Sequence, residues 1–301
     1  MVVVNLLFLC ITSCTTLPKQ YDALLIDYDV KHFKYEDSSI KYTETGSGQT
    51  ILFVHGLGAA SFTWRYLYEY YSKNYHVISL DLKGFGDSSK PIDDHYLVSD
   101  QAKIIHSFIV NKNLNNVILV ANSYGGAVVL TSYLEAKPDI KNSIKKLILL
   151  DPAAYFPKKF PGYVALLRTP VLNRMILTFG NKNFLSKFVL KQLFYDKSLI
   201  TDEMITTYGG FLKGSPVHNA LIETAKNIYT PETAALTASY NKITIPVLII
   251  WGKFDTVIDK SIGEELNRNI VNSKLVIIDD CGHAPQEELP DQAIAIINNF
   301  L

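Results

Sequence analysis

The 301-residue chain has no excess of charge of either sign. Lys and Arg together number 29, Asp and Glu also number 29, and the pI is about 7.0. No global field would therefore draw the protein to a polyanion, and we expect no nucleic-acid partner. Hydrophobic residues make up 48% and charged residues 19% of the chain, a balance that argues against disorder and supplies enough apolar surface for a substantial core.

Cysteine is scarce. Cys10 and Cys14 lie at the extreme N-terminus, which leaves only Cys281 for the folded part of the chain. A framework of disulfides does not follow from that distribution. No pair of Cys lies near a pair of His at the spacing of a zinc site. We therefore expect neither a metal nor another cofactor.

Long apolar runs are also missing, since Val2–Ile11 is too short to cross a bilayer as a permanent helix. Its length suits the hydrophobic part of an export signal, although no Lys or Arg precedes it. The next residues, Ile11-Thr12-Ser13-Cys14, resemble the lipobox of bacterial lipoproteins, whose cysteine is acylated and becomes the first residue of the mature protein. The resemblance implies a signal peptide over residues 1–13, export, and a lipid anchor on Cys14 that attaches the protein to a membrane facing the periplasm or the cell exterior. A hydrophobic leader without lipid is the alternative.

Strands and helices alternate from Ile40 onward. This pattern predicts an α/β fold, with a mostly parallel central sheet and helices on both faces, formed by residues 35–152 and 241–301. Residues 14–34 are expected to be a tether or an edge element, and Gly46-Ser47-Gly48 predicts a hairpin turn. Six apolar runs have the length of buried strands: Ile51–Val54, Val77–Leu80, Val117–Ala121, Leu147–Leu150, Val247–Trp251 and Leu275–Ile278. Helical patterns between them include Gln101–Val110, Ala127–Glu135 and Ile262–Asn267.

Residues 153–240 interrupt the alternation. They contain helical patterns rich in Leu, Phe, Tyr and Lys and no convincing core strand. An insertion of helices after the sixth strand would cover the edge of the sheet, so this segment predicts a helical cap. An independent helical domain is the alternative, which the need for both ends to meet the sheet disfavours.

A serine lies between a predicted strand and a predicted helix, in the segment Ala121-Asn122-Ser123-Tyr124-Gly125-Gly126. A sharp turn there exposes the serine, and small residues two positions before and after it are needed because the backbone passes close to itself. The segment resembles the nucleophile elbow G-x-S-x-G of the α/β-hydrolase superfamily, with Ala121 in place of the first glycine.

Two further segments resemble the same superfamily. His55-Gly56-Leu57-Gly58 is similar to its H-G-x-G segment, and residues 81–88 to its D-x-x-G-x-G-x-S turn. The resemblance implies that the backbone N–H groups of Leu57 and Tyr124 form an oxyanion hole and that His55 is structural.

A serine hydroxyl needs a base, and the base needs an orienting acid. Asp255 follows the strand Val247–Trp251 in a G-x-x-D pattern, and His283 lies in a G-H segment after the last strand. The chain order Ser, Asp, His is that of the α/β hydrolases. The resemblance thus implies Ser123 as nucleophile, His283 as base and Asp255 as acid. Asp151, which follows an earlier strand, is the rival acid.

The expected activity is hydrolysis of an ester or related carbonyl compound of mainly apolar character through an acyl-enzyme. The form N-S-x-G-G also resembles carbon-carbon bond hydrolases of ring-cleavage products, whose substrate carboxylate would meet Arg168 or Arg174. A ligand-binding protein with little turnover is the third alternative.

Contacts to a small apolar substrate are expected from Asn122, Phe156 and Phe160. Other cap side chains that are predicted to line the pocket are Tyr163, Leu167 and Phe179.

Overall fold

A computed structural model describes residues 29–157 and 160–301. The predicted signal peptide, the predicted acylation site Cys14 and most of the predicted tether lie outside the described residues. Within the described ranges, no helix is both long and apolar enough to cross a membrane.

An eight-stranded sheet forms the centre of the molecule, in the order β1-β2-β4-β3-β5-β6-β7-β8. The strands are β1 (Val30–Tyr35), β2 (Ser38–Thr45), β3 (Thr50–Val54), β4 (His76–Leu80), β5 (Val117–Asn122), β6 (Ile144–Leu150), β7 (Val247–Gly252) and β8 (Ser273–Ile278). β2 runs antiparallel to β1 and to β4, whereas all the remaining pairs are parallel. All six predicted strands are present, and the predicted mostly parallel sheet is confirmed.

One expectation about the start of the sheet is wrong. Gly46-Ser47-Gly48 does not close a hairpin, because β4 lies between β2 and β3 in the sheet. The hairpin is instead formed by β1 and β2, whose register pairs Tyr35 with Ser38. Of the two expectations for residues 14–34, a tether or an edge element, residues 30–34 follow the second, since they belong to β1 at the edge of the sheet.

The central strands are covered on both faces. Every residue of β3, β5 and β7 is buried, as expected for parallel strands between helical layers. Leu52 and Val54 pack in one apolar cluster, and Ile51 and Phe53 pack in a second. The flanking helices are α1 (Arg65–Tyr71), α2 (Val98–Asn111), α3 (Tyr124–Glu135), α4 (Pro138–Ser143), α11 (Ser261–Asn269), α12 (Pro285–Glu288) and α13 (Pro290–Asn298).

Among the residues described between β6 and β7, the α-helices are α5 (Gly162–Leu167), α6 (Leu172–Phe179), α7 (Lys182–Leu193), α8 (Asp202–Phe211), α9 (Ser215–Asn227) and α10 (Pro231–Thr237). The predicted helical insertion after the sixth strand is confirmed. Leu177 and Leu221 of this cap join the main core, whereas Leu190 and Met204 form a separate cluster with Ala284. The cap therefore packs onto the same edge of the sheet that carries the predicted catalytic loops.

Candidate active site

Ser123 lies on the turn between β5 and α3. Its backbone has a φ of 55° and a ψ of −120°, a conformation that costs a non-glycine residue roughly 1–3 kcal/mol. Its N–H donates to the carbonyl of Leu150 at 3.0 Å, and its own carbonyl accepts from Gly126 and Ala153 at 2.9 Å. Residues of and just after β6 thus hold the turn in the strained form that presents the hydroxyl.

Two glycines allow this turn to pack closely. A Cβ on Gly125 would lie 2.4 Å from the carbonyl oxygen of Val54, and a Cβ on Gly126 would lie 2.4 Å from the Cβ of Pro152. Ala121 is fully buried two residues before the serine. The methyl group of alanine is therefore accommodated where the motif normally has its first glycine.

His283 is bonded to Asp255 through its ring. Its Nδ1 donates to Asp255 Oδ2 at 2.7 Å, and both side chains are buried. The main chain of His283 is also held, because its N–H donates to the carbonyl of Leu193 at 2.6 Å and its carbonyl accepts from Asn122 Nδ2 at 3.1 Å. Ring orientation and tautomer are thereby set, with the hydrogen on Nδ1 and the lone pair on Nε2.

The Nε2 atom of His283 is buried and has no hydrogen-bond partner among the described residues. His283 and Ser123 line the same cavity. A buried polar atom without a partner usually has a chemical explanation. An unpartnered imidazole nitrogen in a residue that lines the same cavity as a serine is suited to taking a proton from that serine or from water.

Asp255 is oriented by its own loop. Its Oδ1 accepts from the N–H groups of Val257 and Ile258 at 2.7 and 3.0 Å. The other oxygen is therefore left to face the imidazole.

Asp151 lies next to this pair without bonding to the histidine. Its Oδ1 accepts from the N–H of Gly252 at 2.9 Å, and it offers an oxygen within 4.8 Å of both Asp255 and His283. Burial, followed by the charge of Asp255, raises the pKa of Asp151 well above its ordinary value. The orienting bond thus comes from Asp255. These three side chains also have metal-ligand spacing, but a metal would have to displace the 2.7 Å bond between His283 and Asp255.

His55 connects two loops at the edge of the sheet. Its Nδ1 donates to the carbonyl of Gly56 at 2.8 Å, and its Nε2 accepts from the N–H of Leu82 at 2.9 Å. Burial lowers its pKa. Because both nitrogens are occupied by main-chain groups, His55 is structural.

Two backbone N–H groups lie near the serine. Tyr124 is the first residue of α3, and N–H groups in a first helical turn have no intrahelical acceptor. Leu57 lines the cavity and follows Gly56, where a Cβ would lie 3.2 Å from the Cβ of Ser123. The missing side chain at Gly56 brings this loop close to the serine.

The cavity above Ser123 has an empty volume of about 1100 Å³, which includes open solvent at its mouth. More than half of its lining residues belong to the cap, and most of these are aliphatic, among them Leu166, Leu167, Ile176, Leu177, Leu185, Val189 and Leu193. None of its lining residues, all of which belong to the described part of the chain, is Lys or Arg. An apolar and uncharged group is therefore the ligand that this lining suits.

The predicted aromatic contacts divide between two places. Tyr163 and Leu167 line the cavity, but Phe156, Phe160 and Phe179 do not. Phe156 and Phe160 instead pack with Tyr229, and Phe179 is 84% exposed. The expectation that Phe156 and Phe160 contact substrate is therefore wrong, because their rings are engaged in a separate aromatic cluster.

Asn122 lines the cavity, but both N–H groups of its amide are used within the protein. They donate to the carbonyls of Leu150 and His283 at 3.1 Å. Asn122 thus holds the loop that carries His283 through a hydrogen bond. Only the oxygen of its amide remains available to a ligand.

Neither predicted arginine reaches the cavity. Arg168 donates to the carbonyls of Ala225 and Lys226 at 2.6 and 2.9 Å, near the C-terminal end of α9. Arg174 is exposed on α6.

One side of the cavity has a buried polar network that motif matching missed. Glu287 accepts from Arg65 at 2.7 Å, from Thr63 at 2.7 Å and from Tyr208 at 2.5 Å. Gln286 donates to Thr63 at 3.1 Å and keeps a buried oxygen without a partner. The signal for this network was the pair of carboxylates that follows the histidine segment, Glu287 and Glu288.

Comparisons with known proteins agree with this architecture. A family profile for the alpha/beta hydrolase fold matches residues 49–290. The chain is 27% identical over 277 residues to the uncharacterized hydrolase YugF of Bacillus subtilis (strain 168), covering 90% of this chain and 97% of that protein. It is 26% identical over 308 residues to Lipase 1 of Psychrobacter immobilis, covering 94% and 91%. A solved meta-cleavage product hydrolase of Pseudomonas fluorescens IP01 shares the fold with a TM-score of 0.73 and 20% identity, covering 90% of this chain and 98% of that one.

Proposed function

Because this chain belongs to the alpha/beta hydrolase fold family, we propose that it is a serine hydrolase that cleaves esters with an apolar acyl group through an acyl-enzyme. One observation carries the proposal. A serine on a strained turn and a histidine with an unpartnered buried nitrogen line one apolar cavity, and the histidine is already bonded to Asp255 at 2.7 Å.

In the proposed mechanism, Ser123 Oγ attacks the ester carbonyl while His283 Nε2 takes its proton. Asp255 stabilises the imidazolium that forms. The N–H groups of Leu57 and Tyr124 then bind the negative oxygen of the tetrahedral intermediate, a contribution of about 10²- to 10³-fold per donor. Collapse releases the alcohol with the proton from His283, and a water activated by the same histidine hydrolyses the acyl-enzyme.

The lining of the cavity supports a neutral ester rather than a ring-cleavage acid. A dienoate substrate carries a carboxylate, which in an apolar cavity needs a cation beside it. Arg168 is bonded to main-chain carbonyls and Arg174 is exposed. Arg65 is paired with Glu287, the only carboxylate in the lining, so this buried cation is already engaged.

The test is hydrolysis of p-nitrophenyl esters of increasing chain length by the wild type and by Ser123→Ala. Ser132→Ala, a change to a buried serine on α3 that does not line the cavity, is the control. We expect turnover that is lost in the Ser123 variant and retained in the control. Labelling by a fluorophosphonate at residue 123, followed by peptide mapping, identifies the nucleophile.

Two results would replace this proposal. Turnover of a dienone acid with little on esters would favour carbon-carbon cleavage. Ligand binding without any serine-dependent turnover would favour a binding protein.

We also propose that Cys14 is acylated after export, on the strength of the sequence Ile11-Thr12-Ser13-Cys14. Metabolic labelling with an alkyne fatty acid in a bacterial host tests this. Label is expected in the wild type and in Cys10→Ser but not in Cys14→Ser. Equal labelling of all three proteins would contradict the lipobox assignment.

A further inference from the structure

The cap exposes a row of large apolar side chains on α6 and α7. Phe179 is 84% exposed and Phe184 is 68% exposed, whereas side chains of this type are usually buried. Exposed side chains that belong to the same surface are Val171, Leu172, Met175 and Phe188. We call this set, with the two phenylalanines, the cap face. An exposed apolar patch of this extent marks a site of contact with another molecule or a membrane.

Helical spacing makes the cap face continuous on each helix. Leu172, Met175 and Phe179 are spaced i, i+3 and i+7 on α6, and Phe184 and Phe188 are spaced i and i+4 on α7, so each set lies on one side of its helix. The two helices are tied together by Lys182, whose ammonium donates to the carbonyl of Gly180 at 3.1 Å and to that of Leu177.

The segment of the chain that carries the cap face has charge of one sign. Residues 152–195 contain seven Lys and Arg residues and no Asp or Glu, in a chain whose total charge is zero. Arg174 lies on α6, Lys187 and Lys191 lie on α7, and all three are exposed. Lys187 and Lys191 have the same i, i+4 spacing as Phe184 and Phe188 and so form an adjacent row. Aromatic and aliphatic side chains beside such a row are typical of helices that lie in a membrane interface.

The cap face is continuous with the cavity. Phe188 is 50% exposed and also lines the cavity. Ile176 on α6, and Leu185 and Val189 on α7, line the cavity from positions next to exposed members of the cap face. An apolar path therefore leads from the outer surface of the cap to the space above Ser123.

We propose that the cap face binds the surface of a lipid bilayer that contains anionic lipids. Phenylalanine and aliphatic side chains enter the boundary between headgroups and acyl chains, while Arg174, Lys187 and Lys191 contact lipid phosphates. Pairing of two cap faces is disfavoured, because each lies in a segment, residues 152–195, that contains seven Lys and Arg residues and no Asp or Glu. Docking in this orientation turns the cavity toward the membrane, so that an acyl chain passes from lipid to protein without crossing water.

The first experiment reads contact at the cap face directly. Phe184→Trp is introduced into the full chain and mixed with vesicles of phosphatidylcholine and phosphatidylglycerol whose acyl chains are brominated. Val271→Trp is the matched control, since Val271 is 90% exposed beside the start of β8, at the opposite edge of the sheet. The native tryptophans, Trp64 and Trp251, are fully buried and supply the background.

We expect strong quenching of the tryptophan at position 184 and none beyond background at position 271. Equal quenching at both positions, or none at position 184, would overturn the proposal. Attachment through the N-terminal segment alone leaves residue 184 unquenched, so that outcome also counts against the cap face. A concentration-dependent dimer that the double variant Met175→Ser/Phe179→Ser abolishes would show that a second copy occupies the face instead.

The second experiment tests the charge. In the Phe184→Trp background, the change Lys187→Gln/Lys191→Gln is expected to raise the concentration of anionic vesicles needed for half-maximal quenching by roughly 25-fold, about fivefold for each lysine near the surface. The same change is expected to have little effect with vesicles of phosphatidylcholine alone. Residues 1–18 contain no Lys or Arg, so the N-terminal segment cannot produce this difference. An equal shift with both kinds of vesicle contradicts the proposal.

Quenching requires no turnover, so this inference does not depend on the proposed hydrolase activity. Met175→Ser/Phe179→Ser is expected to hydrolyse a water-soluble ester at the wild-type rate and a vesicle-embedded ester much more slowly. That result would show that binding of the cap face to the membrane delivers substrate to the proposed hydrolase site. Equal rates on the embedded ester would mean that docking does not deliver substrate.

Discussion

Asp255 and Asp151 place two carboxyl groups beside one imidazole, and only Asp255 is bonded to it. The bond between Asp255 Oδ2 and His283 Nδ1 is 2.7 Å, whereas Asp151 bonds to the N–H of Gly252. Burial, followed by the neighbouring charge of Asp255, raises the pKa of Asp151 well above its ordinary value.

The two aspartates are therefore expected to differ in their effect on catalysis. Asp255→Asn should lower kcat by roughly 10³- to 10⁴-fold, because the histidine loses the partner that sets its tautomer. Asp151→Asn should lower kcat by less than about tenfold, since the amide still accepts from Gly252. Ester hydrolysis by protein quantified through fluorophosphonate labelling measures both. A larger loss in Asp151→Asn would transfer the orienting role to that residue.

Asp151 also predicts a dependence of stability on pH. A carboxyl whose pKa is raised in the folded state stabilises the fold below its ordinary pKa of about 3.9, and this contribution is lost as pH rises through the folded value. Asn at this position carries no proton. The free energy of unfolding of the wild type should therefore fall relative to that of Asp151→Asn as pH rises, by at most about 1.4 kcal/mol per pH unit.

Urea unfolding of the wild type and Asp151→Asn at a series of pH values measures this difference. A difference that stays constant with pH would mean that Asp151 has the same proton occupancy in the folded and unfolded chains.

The buried pair of Arg65 and Glu287 is expected to matter more for stability than any exposed pair. Arg65→Met leaves the carboxylate buried without its counter-charge, which typically costs about 3–5 kcal/mol. Arg65→Met/Glu287→Gln should lose less, because glutamine is neutral and still accepts from Thr63 and Tyr208.

Urea unfolding measures these losses as well. Lys253→Met is the matched control, since Lys253 pairs with Asp279 at the surface and its removal should not change stability measurably. A double variant less stable than the single one would contradict this account.

The backbone of Ser123 makes a prediction that is independent of catalysis. Glycine adopts a φ of 55° without strain, whereas alanine keeps the Cβ that causes it. Ser123→Gly should therefore be more stable than Ser123→Ala by about 1 kcal/mol, after the entropic cost of glycine in the unfolded state is subtracted. Thermal unfolding of the two inactive variants compares them directly. Equal melting temperatures would indicate that the turn stores no strain.

Local patterns in the sequence predict the strands and the residues that follow them. Asp255 and His283 are predicted from their resemblance to the G-x-x-D and G-H segments that follow strands in the α/β hydrolases, and parallel strands bring such positions to one edge. The position of β4 between β2 and β3 has no local signal, since strand order depends on packing between distant segments. The resemblance to a known family predicts which loops meet at the carboxyl ends of the strands. It does not predict how the first strands of the sheet pair with one another.

The cap was predicted as a unit but not in its details. Tyr163 lines the cavity, whereas Phe160, three residues before it, packs against Tyr229. Composition alone does not distinguish these positions, because Tyr163 lies on α5 whereas Phe160 precedes that helix, and the contacts of each ring depend on distant segments of the cap. Arg168 shows the same limit, since the main-chain carbonyls that it binds belong to residues 57 and 58 positions further along the chain.

The contact between Leu193 and His283 links the cap to the proposed base. The last residue of α7 accepts a hydrogen bond from the N–H of His283, and the preceding carbonyl, that of Gln192, accepts from Thr256 beside Asp255. A rigid swing of the whole cap would pull both loops with it. Any movement that widens the mouth of the cavity while the imidazole stays aligned is therefore expected at the far end of α7, with the C-terminal end of that helix as the pivot.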